Sequence, residues 1–95
     1  VNDYLELSID AHRHGLIIHA IATVTDSQTG RRLMPALHAT GLTRRGIVDR
    51  LTPVALGTLW AQRRHHGEYV PHAEQVDRYI AQAAAYWSEH DWNEQ

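Results

Sequence analysis

Arg31, Arg32, Arg44, Arg45, Arg50, Arg63 and Arg64 fall between residues 28 and 66 against one acid, Asp49, so that segment carries net +6. Residues 1 to 27 sum to −3 and residues 67 to 95 to −5, and the overall −2 hides a basic middle between two acidic ends. Such sorting points to an anionic partner, or to a chain that neutralises itself on folding. The arginine pairs differ in how far local structure accounts for them. Arg63 and Arg64 close a helix, where cations gain about 0.3–1 kcal/mol from the helix dipole. Arg31 and Arg32 fall on an edge strand, where charge discourages edge-to-edge pairing. Arg44 and Arg45 occupy the first turn of a helix, where the dipole favours acids, so something outside that helix is expected to use them.

Histidine is the second chemical resource, with eight copies in 95 residues, including His12 and His14 in one H-x-H pair and His65 beside His66. Neutral imidazole binds zinc, and His12 and His14 with one further ligand would complete a tetrahedral site. No spacing here matches a specific metal motif such as H-E-x-x-H, so solvated histidines and no bound metal are the expectation. Cysteine is absent, which removes disulfides, thiol nucleophiles and thiolate zinc sites together. Ser8, Ser27 and Ser88 stand in no nucleophile motif, and no glycine-rich phosphate loop is present, so neither nucleophilic catalysis nor a cofactor is expected.

Asp10 closes the first strand ahead of a long hairpin, and in this it resembles the opening of the ribonuclease H-like nucleases. That resemblance covers about the first 35 residues, in topology and one residue type. It implies a carboxylate on the first strand that binds a catalytic metal ion, with Glu68 and Asp77 as the further carboxylates such a site would require. The segment "TRRGIVDRLTPVALGTLWAQRR" looks like a helix-turn-helix, which implies a second helix presented to a DNA groove. Its turn departs from that pattern, having little beyond Thr52 before Pro53, and two consecutive core helices explain the same letters. Trp92, beyond the last apolar stripe, has two readings: an interface anchor, or a cap folded back onto the core.

The elements that position these residues follow from periodicity. Residues 4 to 10 alternate, with Leu5, Leu7 and Ile9 on one face and Glu6, Ser8 and Asp10 on the other, the pattern of a half-buried strand. "AHRHG" reads as a turn, and residues 16 to 25, apolar on both faces, as the central strand. "DSQTG" reads as a hairpin turn, and residues 31 to 39 as a third strand that Pro35 confines to an edge. Thr43 caps a short helix to Leu51; Thr52 and Pro53 restart a second that ends at "RRHHG". A third helix begins near Pro71, with Val76, Tyr79, Ile80, Ala83, Tyr86 and Trp87 as its apolar stripe.

The expectation is a single domain over residues 1–95 of the α+β class. It is a two-layer fold in which a three-stranded antiparallel β-meander is followed by three helices packed on one face, β-β-β-α-α-α. The longest apolar run, residues 16 to 22, is interrupted by His19 and falls short of the roughly 20 residues a membrane span needs. With no basic, hydrophobic leader at the N-terminus, the expected compartment is the cytoplasm. All nine cationic Lys/Arg positions are arginine, the bias of a GC-rich genome, which with the small size suggests a bacterial or phage accessory protein. The functional expectation is a non-enzymatic regulatory binding module, forming a homodimer and docking a protein or nucleic acid with an anionic surface. Arg31, Arg32, Arg44, Arg45, Arg63, Arg64 and Trp92 are the expected contacts. The alternatives are a nucleic-acid binder using the 43–66 helix pair, and a metal-dependent hydrolase using Asp10 or the histidines.

Overall fold

The alternation that starts at Leu5 does not stop at Asp10. In the computed structural model, which describes residues 5–27 and 30–94, Ala11 continues the buried series Leu5, Leu7, Ile9, and β1 spans Leu5–His14. A two-residue turn at Gly15 and Leu16 reverses the chain into β2, Ile17–Asp26. Gly15 has φ +66 and Leu16 a negative φ, as in the type II′ turn whose twist suits a hairpin. The turn expected over residues 11 to 15 is therefore mostly strand. Of the other expected segments, Tyr4 and the Gln28 and Thr29 of "DSQTG" lie outside the described residues. That second turn is closed by Gly30, whose N–H donates to the Asp26 carbonyl at 2.8 Å.

Arg32 makes only an isolated bridge to Thr25, and after Pro35 the chain enters β3, Leu37–Gly41. Thr43 then caps α1, its hydroxyl accepting from the Gly46 N–H at 3.0 Å. α1 runs without interruption over Arg44–His65, α2 over Ala73–Trp87, and a short β4, Trp92–Glu94, ends the described chain. The sheet is four-stranded in the order β3-β2-β1-β4, and β4 lies parallel to β1, so the sheet is mixed.

This corrects the expected meander of three strands under three helices in two places. The first is the stop at Thr52 and Pro53, where the helix continues instead. An interior proline costs about 3 kcal/mol, but the apolar face runs unbroken past it: Val48, Leu51 and Thr52, then Ala55, Leu56, Leu59 and Trp60, all buried. Leu56, Leu59 and Trp60 alone gain roughly 1.5–3 kcal/mol each by burial, enough to outweigh the proline. With one helix there, the 43–66 helix pair is not formed. The second is the tail. Trp92 pairs with Ile9 in register, packs against the core and donates from Nε1 to the Trp87 carbonyl at 2.6 Å, so the tail is held as a strand.

Both helices lie on one face of the sheet. The core joins Leu5, Leu7, Ile9 and Ala11 of β1 and Ile18, Ala20, Ala22 and Val24 of β2 to α1 and to Ala83, Ala84 and Trp87 of α2. The stripe expected on α2 is rotated by part of a turn, leaving Tyr79 and Tyr86 exposed and Ala84 buried. Among the described residues no helix is long and apolar enough to cross a membrane.

Candidate functional site

Because successive side chains of a strand point to opposite faces, the same alternation that builds the core leaves a second set on the open face. β1 contributes Asp10, His12 and His14, β2 contributes Ile17, His19 and Ile21, and β3 contributes His38 and Thr40. The register sets them in rows. Asn93, Asp10, Ile21 and His38 lie side by side across the four strands, and His12, His19 and Thr40 form the next row.

In that second row the rings of His12 and His19 stack, with centroids 5.2 Å apart and planes 12° from parallel, and His14 meets His19 edge-on at 6.3 Å. His12, His19, Ile21, His38, Thr40 and Arg50 line a groove of about 390 Å³. Arg50 comes from α1 on the other side of the sheet. Its Nε donates to the Gly46 carbonyl at 3.4 Å, and its Nη2 donates to the Thr40 carbonyl of the edge strand, which brings the guanidinium to the groove's rim. Gly41 makes this path possible: a Cβ there would stand 3.0 Å from Arg50 Nη2 and 3.1 Å from Ile47 Cγ1.

Among the described residues no acid lines the groove. Each imidazole offers at least one N–H whatever its tautomer, Thr40 offers a hydroxyl, and Arg50 a permanent cation, so the polar lining is rich in donors. Chemically this suits an anion or a ligand rich in acceptors. The carboxylate of the first row, Asp10, is engaged on its far side, accepting from Asn93 Nδ2 at 3.1 Å.

The sequence-predicted arginines do not form one surface. Gln62 Nε2 donates to the Leu33 carbonyl at 3.2 Å, so the segment that follows Arg31 and Arg32 meets the C-terminal part of α1, which carries Arg63 and Arg64. Arg44 and Arg45 are at the other end of α1, roughly 28 Å away at 1.5 Å per residue. Arg44 is held within the chain, 3.1 Å from Glu94 Oε2 and 5.1 Å from the centre of the Trp92 ring. Glu94 also takes Arg13 at 3.7 Å, and Arg45 pairs with Asp49 at 2.9 Å. Trp92 is half-buried in the position of a core cap.

His12 and His14 share the open face, but among the described residues no three His, Asp or Glu side chains converge as metal ligands. Beside Asp10, where a second acid of the nuclease arrangement would have to stand, β2 places Ile21 and β4 places Asn93. Glu68 lies in the loop after α1 and Asp77 on α2. The groove residues that sequence reasoning missed are His19, His38, Thr40 and Arg50. The available signal was the glycine at position 15: a two-residue turn there sets His12 opposite His19. Comparison with models of protein families, with curated proteins and with solved structures found no match to this chain.

Proposed function

We propose that this chain is a small non-enzymatic binding module for an anionic partner, and that it docks that partner on the open face of its sheet. The observation that carries the reading is the groove of His12, His19, His38, Thr40 and Arg50, in which donors converge and no acid among the described residues takes part. It refines the expectation drawn from charge, since His38, Thr40 and Arg50 all come from the basic middle of the chain. Arg50 brings the charge of that block to the histidines, whereas Arg44 and Arg45 meet acids of their own chain.

The test is calorimetric titration with pyrophosphate, a compact anion without base or side chain of its own. Arg50→Gln and the double change His19→Ala, His38→Ala should each weaken binding several-fold, while Arg63→Glu with Arg64→Glu leaves it unchanged. Loss of binding on the Arg63, Arg64 change alone would move the site to the far end of α1 and refute the groove.

A further inference from the structure

We infer that the ligand of this groove is a single-stranded nucleic acid, its bases stacked on the histidine rings and a phosphate held by Arg50. The inference rests on the reading of the groove as an anion site and adds the chemistry of the rest of the ligand.

Charge alone does not account for the lining. Two of its side chains, His12 and His19, present imidazole rings as a stacked pair on the sheet face opposite the helices, with His12 exposed. Ile21, next to His38 in register, leaves 41% of its surface exposed in the middle of the sheet. A free phosphate would use Arg50 and the N–H donors and leave the outer face of His12 and the side chain of Ile21 in water. An acidic peptide would do the same with its carboxylates. A nucleotide supplies both halves: a phosphate for the guanidinium, and a flat base whose π-face stacks on an aromatic ring regardless of sequence.

Strandedness follows from the same geometry. A duplex keeps its base faces within its own stack and offers phosphates and groove edges, so the imidazoles and Ile21 would find no partner. A single strand can splay its bases onto an open sheet, with successive nucleotides running along the strands, from the row of His12 and His19 to that of His14 and Ile17. The groove, at about 390 Å³, is near the small end of the range for ligand pockets. It therefore holds one or two nucleotides, and neighbouring ones lie over His14 and Ile17.

The experiment is fluorescence anisotropy on the full chain with fluorescein-labelled twelve-nucleotide oligo-uridine and oligo-thymidine, a twelve-base-pair duplex and a labelled oligo-glutamate. The single strands should bind more tightly than the duplex and the oligo-glutamate. His12→Ala, at an exposed position, should weaken single-strand binding roughly 5- to 150-fold, the range for loss of one stacked base. His12→Tyr, which restores a ring without the imidazole nitrogens, should recover most of it. Arg50→Gln should make the plot of log affinity against log salt shallower by about 0.7, the value for one phosphate contact on a single strand. Oligo-glutamate or duplex binding as tight as the single strands, or single-strand binding indifferent to His12→Ala, would overturn the inference. If pyrophosphate still binds at Arg50 in that case, the anion site survives and only the nucleic-acid assignment fails; if it does not, both fall.

Discussion

The guanidinium of Arg44 lies over the ring of Trp92, 5.1 Å from its centre, and reaches Glu94 two residues further on. A cation in the first turn of a helix is placed against the dipole, and here two residues of β4 compensate it. The first turn of α1 is thereby tied to the edge of the sheet formed by the tail, and the basic middle of the chain meets its acidic end within one molecule.

Arg44→Glu should therefore destabilise the fold by about 1–2 kcal/mol, the sum of a partly exposed cation–π contact and an ion pair at the surface. For a domain of this size that is a fall of several degrees in Tm. Arg45→Glu, which removes an exposed pair with Asp49, should stay within about 0.5 kcal/mol of the parent. Urea unfolding of both variants checks the contrast; equal effects would mean that the Trp92 contact contributes nothing.

The middle of α1 carries two local conflicts that the packing overrides. Thr52 is fully buried, its Oγ1 finds no hydrogen-bond partner among the described residues, and Pro53 follows inside the helix. Thr52→Val keeps the shape and removes the unpaired hydroxyl, and should stabilise by about 1 kcal/mol. Pro53→Ala restores an N–H to the helix ladder and should stabilise by up to about 3 kcal/mol. Thermal melts of the two single variants and the double variant measure both; a lower Tm for Pro53→Ala would show that the proline is needed where it stands.

These conflicts also mark where the sequence was legible and where it was not. The Leu5, Leu7, Ile9 alternation, the Thr43 cap and the stop at Gly67 could be read locally, because each depends on residues a few positions apart. Thr52 and Pro53 were misleading because a local stop signal competes there with a buried face that continues on both sides, and burial outweighs the stop. β4 carries no local signal at all: three residues form a strand because Trp92 finds Ile9, and that pairing spans most of the chain. The groove was hidden for a similar reason. His12 and His14 were visible as a pair, but His19, His38 and Arg50 join them through strand register and through a helix that crosses the other face of the sheet.

Gly41 tests that last link. Gly41→Ala sets a methyl group against Ile47, which is fully buried, and against the tip of Arg50, so it should cost about 1–3 kcal/mol of stability and displace Arg50 from the Thr40 carbonyl. Gly57→Ala is the matched control, since among the described residues nothing beyond its chain neighbours and the surrounding helix backbone comes within 4 Å of a Cβ there. In the exposed interior of a helix it should stabilise by about 0.5–1 kcal/mol and leave pyrophosphate binding untouched. A Gly41→Ala protein that binds pyrophosphate as the parent does would separate Arg50 from the site.

The central claim is that anions bind among the open-face histidines, and the most direct measurement follows the histidine ring signals by ¹H–¹³C NMR during a pyrophosphate titration. The eight histidines divide into those of the open face, His12, His14, His19 and His38, and those of the helices and loops, His65, His66, His72 and His90. With the anion seated in the groove, the Cε1–H signals of His12, His19 and His38 should move together along one saturating curve, and those of His65, His66, His72 and His90 should stay in place. Movement of His65 and His66 with the open-face signals unchanged, or no movement at any of the eight, would contradict it.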